Sequence, residues 1–151
     1  MRKTIEIGGQ EVELEANLGT ASFFQEFTGK NIFNISSQIA SKMGESAQKA
    51  KENKNKDATA AEKKLELLGS GFSEAISEAV EVGKALAYIM HIQTKYGKTK
   101  EDISRIRAEL TKDDLLAWEF NFAPNAFTFE TYTKIMGFWQ AQTETTSTEK
   151  N

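Results

Sequence analysis

Apolar and polar residues alternate one by one at the start of the chain and recur in threes and fours after it. Ile5 and Ile7 alternate with Thr4 and Glu6, and Val12, Leu14 and Ala16 alternate with Glu11, Glu13 and Glu15. A period of two marks a strand buried on one face. Gly8-Gly9 separates the runs, and glycine reaches the positive-φ conformations of a tight hairpin turn without a Cβ clash. The pattern predicts a β-hairpin with its glutamates on the wet face. Those glutamates follow one strand rather than surround a point, so they do not make a metal site.

Asn17-Leu18-Gly19 ends the second strand. Thr20 or Ser22 can cap the next helix, and Ser22 with Gln25 has capping-box spacing. Phe23, Phe24 and Phe27 share one side of that helix, and Gly29 is its expected left-handed terminator. A lone hairpin is marginal in water. The phenylalanine face is therefore expected on the Ile5, Ile7, Val12 and Leu14 face. Ile35, Ile39 and Met43 then predict a short helix over Asn34–Met43, with Ile32 just before it.

The run from Gly44 to Asp57, GESAQKAKENKNKD, holds no large apolar residue. It cannot bury enough area to offset its ordering entropy, and reads as a flexible linker or frayed helix. Its Lys49, Lys51, Lys54 and Lys56 are interleaved with Glu52 and Asp57 and lack aromatics, which favours solvation over nucleic-acid binding. Thr59 with Glu62 predicts a helix start, and Gly69-Ser70-Gly71 a break near Leu68. That G-x-G lacks a third glycine and a preceding strand, so it is no dinucleotide loop.

The strongest helical pattern covers Phe72 to Tyr96. Ile76, Val80, Gly83, Ala87 and Met90 form one stripe, and Ala75, Ala79, Val82, Leu86 and Ile89 another. Glu74, Glu78, Glu81, Lys84, Tyr88, His91 and Lys95 lie opposite. So wide an apolar surface is covered on more than one side. Either this helix is the centre of the fold or part of its face is kept for a partner. Gly97 is expected to end it, with Lys95 and Lys98 suited to the dipole. Thr99 or Lys100 opens a helix with Ile103, Ile106 and Leu110 on one face. Thr111 with Asp114 caps the next, which carries Leu115, Leu116 and Trp118. Asp113-Asp114 suits the positive end of that helix. Aromatics crowd the stretch from Trp118 to Trp139, broken at Pro124-Asn125, and Thr128 can cap the last helix. Ala141 to Asn151 has no apolar anchor and reads as a disordered tail.

These elements predict an α+β, mostly helical chain: an N-terminal two-stranded β-hairpin packed on a helical domain, with a lysine-rich flexible linker. Residues 1–43 hold the hairpin and short helices, 44–61 the linker, 62–140 the helical region with its aromatic part, and 141–151 the tail. Composition narrows the functions. Formal net charge is −3, against a general nucleic-acid or anionic-membrane binder. There is no cysteine, so disulfides, thiol nucleophiles and thiolate metal sites are excluded. His91 is the single histidine and has no metal or base partner at the usual spacing. No nucleophile–base pair is legible, so a non-enzymatic protein without cofactor or metal is expected. No apolar signal region or spanning run is legible, so an intracellular protein is expected.

Residues Ile5 to Phe33 carry a resemblance. A short acidic hairpin with a glycine turn, then Asn17-Leu18-Gly19-Thr20, then an aromatic helix ending Phe27-Thr28-Gly29-Lys30-Asn31-Ile32-Phe33, resembles the start of tail assembly chaperones of long-tailed (siphovirus-type) phages, especially of Gram-positive hosts. The close similarity covers about a fifth of the chain, and the remainder matches only in kind. The resemblance implies a non-enzymatic protein of the host cytoplasm. It would bind the tape measure protein, keep it soluble while tail tube subunits polymerise around it, and be absent from the mature virion. It also implies a longer form made by ribosomal frameshift, whose extension recruits the tail tube protein. Codons GAA AAA AAC for Glu149-Lys150-Asn151 would supply a slippery heptamer. A homo-oligomer is possible; nucleic acid and membrane are not expected partners.

The surplus of apolar helical and aromatic surface suits capture of an amphipathic helix. Its expected contact surface is Trp118, Phe120, Phe122, Tyr132, Phe138 and Trp139, with Ile76, Val80 and Met90 from the long helix. The same aromatics can instead be core. Alanine at Trp139 or Tyr132 is expected to weaken capture and leave the fold intact if they are surface. The rival readings are a small structural protein of the head–tail junction or baseplate and a cellular adaptor domain.

Overall fold

Strand β1 (Arg2–Ile7) pairs antiparallel with β2 (Gln10–Glu15), with Ile5 opposite Val12 and Ile7 opposite Gln10. Gly8 (φ 57°) and Gly9 (φ 85°) make the two-residue turn, as twisted strands require. A Cβ at Gly8 would also collide with Ala126. The structure, a computed structural model, describes residues 1–52 and 71–149, with side chains described over 1–44 and 71–142. The fold is α+β and mostly helical, with this hairpin and, among the described residues, six helices.

The helices are α1 (Leu18–Thr28), α2 (Ile32–Glu52), α3 (Phe72–Gln93), α4 (Lys100–Glu109), α5 (Lys112–Glu119) and α6 (Phe129–Glu149). Helix α3 is the centre: the hairpin, α1, α2 and α6 pack around it, with α4 and α5 beside it. From Ala85 to Met90 every one of its residues is buried, so the wide apolar surface read from its sequence is covered from several directions. Ile5, Ile7, Val12 and Leu14 enter the same core as Phe23, Phe24, Leu86 and Ile135. Gly83 lets α6 come close, since a Cβ there would meet Tyr132 Cα at 3.2 Å.

Several boundaries differ from the sequence pattern. Helix α1 starts at Leu18, capped by Asn17, whose side chain accepts from the Gly19 N–H at 2.8 Å. Thr20 completes the box by accepting from the Asn17 N–H at 3.1 Å, and Ser22 has no capping role. Asn17 starts the helix ahead of Thr20 and Ser22 because Asx side chains reach the following amides. Helix α2 starts at Ile32, after Asn31 accepts from the Phe33 and Asn34 amides. It runs to Glu52, into the stretch read as linker; Glu, Ala, Gln and Lys favour helix even without an apolar face. The rest of 44–61, with the Thr59 and Gly69-Ser70 readings, lies outside the described residues. Helix α3 ends at Gln93, not near Gly97: the Thr94 hydroxyl donates to the His91 carbonyl at 2.6 Å and the chain turns there. Helix α6 continues to Glu149, through the segment read as a disordered tail. Gly29 (φ 74°), Thr99 and Thr111 cap as their patterns predict.

Candidate functional site

Half of the aromatic side chains expected to meet a partner are interior. Met90 is fully buried, and Tyr132, Phe138 and Trp139 are 4–7% exposed. These four are core, so that part of the expected surface is corrected. Helix α6 turns Tyr132, Phe138 and Trp139 inward because they fall, with Thr131, Ile135 and Met136, on the buried face of a helix packed against α3 and β1. Phe33 covers Trp139, ring centroids 5.0 Å apart. Trp118 and Phe122 are half-buried in a ring cluster: Trp118 lies 5.5 Å from Tyr88, 5.7 Å from His91 and 4.8 Å from Phe122. Ile76 and Val80 are half-buried. Phe120 alone of the expected set is exposed, at 79%.

Periodicity puts Tyr88 on the polar side of its helix, yet it is buried. Helix α4 closes over it, and its hydroxyl donates to the Glu109 carbonyl at 2.6 Å. Burial, then the nearby Asp114 and Glu109 carboxylates, push its pKa up to about 12. His91 remains half-exposed, its Nδ1 3.1 Å from the Glu13 carbonyl and its ring stacked on Trp118. It joins hairpin to helix and does no visible chemistry. Among the described residues no group of three or more His, Asp or Glu could hold a metal ion. No described helix is long and apolar enough to cross a membrane.

The side chain that the pattern reading passed over is Leu18, 79% exposed at the first position of α1. Beside it opens a cleft of about 400 Å³, near the lower end of ligand-site volumes, roughly 300–1,000 Å³. Phe23 and Ile106 form its floor, Ile103 a wall, and Leu18, Gly19 and Gly97 its mouth; Glu15 and Lys98 stand on the rim. Three local features hold it open. The Asn17 cap starts α1 at Leu18, pointing that side chain outward. The early end of α3 sends the chain round through Gly97, where a Cβ would meet Asp102 Oδ2 at 2.7 Å. The Thr99–Asp102 capping box then aims α4 back with Ile103 and Ile106 toward Phe23. Hydrogen bonds to Thr99 hold the Asp102 carboxyl below its ordinary pKa.

A buried polar bridge fixes one wall. Thr20 Oγ1 donates to Gln93 Oε1 at 2.8 Å, and Gln93 Nε2 donates to Asn17 Oδ1 at 3.0 Å. Both Thr20 and Gln93 are buried, and each is satisfied, as buried polar groups must be. Arg107 also clamps Glu26 with two bonds of 3.0 and 3.1 Å, joining α4 to α1. The arrangement is a preformed apolar cleft with an exposed leucine at its lip. It can take apolar side chains.

Leu116 (47% exposed) and Phe120 make a second apolar exposure at α5, and Phe120 also lines a smaller hollow with Lys84, Phe122 and Phe127. No family model, curated protein or solved structure matches the chain.

Proposed function

We propose that the chain is a phage tail assembly chaperone, which binds the tape measure protein and keeps it soluble while tail tube subunits assemble around it. The resemblance over Ile5 to Phe33 motivates this reading. The observation that carries it onto a surface is Leu18: a large apolar side chain, 79% exposed, at the lip of an apolar cleft. Leu18 and Gly19 are among the landmarks of that resemblance.

Apolar side chains projecting from one stripe of a tape-measure helix would enter between Leu18 and Ile103, in the helix-in-groove mode. Phe23 and Ile106 would form the base of their pocket. Burial of Leu18 itself on binding contributes about 1.5–3 kcal/mol. Phe120 and Leu116 would serve as a second contact on a long ligand. A frameshift-extended form would bring the tail tube protein to the same complex, and neither form would remain in the virion.

The test is co-expression with the tape measure protein of the same phage, followed by pull-down and a solubility assay. Soluble tape measure that co-purifies is the expected result. Insoluble tape measure, together with this chain in purified virions, would favour the structural-protein reading instead.

A further inference from the structure

Among the described residues the sheet has two strands, and each has an edge that pairs with no further strand. Ala16 N donates to Met1 O at 2.9 Å and Met1 N to Ala16 O at 3.0 Å. Hydrogen-bonded pairs alternate along an antiparallel ladder, so Lys3, Ile5 and Ile7 turn their backbone groups toward β2. Arg2, Thr4 and Glu6 turn theirs outward. No described residue hydrogen-bonds to those outward amides and carbonyls. Beside them runs a groove of about 650 Å³ whose far wall is α6, at Thr133, Lys134 and Gly137. A Cβ on Gly137 would meet nothing within 4 Å, so backbone can come close there.

We infer that this edge pairs with the same edge of a second copy, giving a dimer with a continuous four-stranded sheet. The charge sequence selects one register. Antiparallel pairing centred on Thr4 puts Arg2 opposite Glu6 of the second copy, twice by symmetry, and Lys3 opposite Ile5. The Thr4 pair and both Arg2–Glu6 pairs exchange backbone hydrogen bonds. Shifting the centre to Lys3 sets lysine against lysine, and centring on Arg2 or Glu6 sets like charges together. Centring on Ile5 loses the Arg2 pairs. Like charges directly opposite are destabilising and unlike ones stabilising.

Two further observations favour this edge. Glu6 stands opposite Glu11 in the hairpin, and none of the ion pairs formed by described residues involves it. The second copy's Arg2 would supply its missing cation. Arg2 already meets Glu13 at 3.2 Å, Glu15 at 3.0 Å and the Thr94 carbonyl at 3.1 Å on the other side, so its remaining N–H donors would serve a third carboxylate. The β2 edge offers only Glu11, Glu13 and Glu15 outward, and self-pairing there sets glutamate against glutamate. It is also partly occupied, with His91 Nδ1 at the Glu13 carbonyl.

The test is sedimentation equilibrium of the full chain across a concentration series, with circular dichroism as the fold control. The parent chain should dimerise reversibly, and amide exchange at Arg2, Thr4 and Glu6 should slow as concentration rises. Glu6→Arg should weaken association about tenfold or more while leaving the monomer no less stable, because it relieves the Glu6–Glu11 repulsion. Glu11→Arg makes the same charge change off the edge and should leave association intact. Thr4→Pro removes an outward N–H that the hairpin does not use and should abolish dimerisation with the fold retained. A parent chain that stays monomeric throughout, or a Glu6→Arg chain that associates as tightly as the parent, would overturn the inference.

Discussion

Two buried side chains of α3, Tyr88 and Gln93, carry much of the local organisation. Tyr88 has a polar tip and sits among charged positions in the sequence, so it reads as surface. Its ring packs with Phe27 and Trp118 and its hydroxyl finds the carbonyl at the end of α4. Its raised pKa has a consequence of definite sign. The folded chain holds the proton to about pH 12, the unfolded chain loses it near 10.0. The stability this group contributes is complete below pH 10 and is lost as pH rises toward 12. Tyr88→Phe should cost about 1 kcal/mol at neutral pH, and urea unfolding across that window should fall less steeply than for the parent. Gln93 is the second case. A buried glutamine near a helix end looks accidental until Thr20 and Asn17 are seen at its two ends. Gln93→Leu should cost roughly 1–3 kcal/mol, since it strands the Thr20 hydroxyl, and a double-mutant cycle with Asn17→Ala should be non-additive.

At the scale of elements, glycine separates contacts that matter from positions that do not. Gly83 of α3 lies under the α6 backbone at Tyr132, so Gly83→Ala makes that backbone give by a few tenths of an ångström and should cost about 1 kcal/mol. Gly44 of α2 has nothing within 4 Å of an added Cβ, and Gly44→Ala should stabilise by about 0.5–1 kcal/mol. Thermal unfolding of the pair measures both signs. The hairpin, its turn, the Gly29 terminator and the Thr99 and Thr111 caps were legible because each is set by residues within a turn of one another. The α1 start was missed because Thr20 offered a cap as good by pattern, and only backbone geometry shows Asn17 taking that role. The burial of Tyr132, Phe138 and Trp139 was not legible because it depends on which helix faces which. Aromatics look alike in core and interface until α2 and α3 are placed against α6. Tyr132→Ala and Trp139→Ala should therefore cost about 3–5 kcal/mol and lower the melting temperature, rather than act on binding alone. The cleft was likewise illegible: α1, the end of α3 and α4 meet there from distant parts of the chain, and no periodicity records a gap.

For the whole molecule, one helix organises the core and leaves two kinds of unfinished surface. The cleft at Leu18 is apolar and suits side chains of a helical ligand. The β1 edge is polar and self-complementary and suits a second copy. They use different faces of the hairpin–helix unit, so variants at one should spare the other. The most direct measurement of the account's central claim is capture of the tape measure protein by Leu18→Glu set beside the parent. Leu18 is 79% exposed, so the substitution should leave circular dichroism and melting temperature unchanged. The account predicts that co-purified soluble tape measure falls about tenfold or more, with Phe120→Glu giving a smaller loss. Leu18→Glu that folds normally and captures tape measure as well as the parent would contradict it.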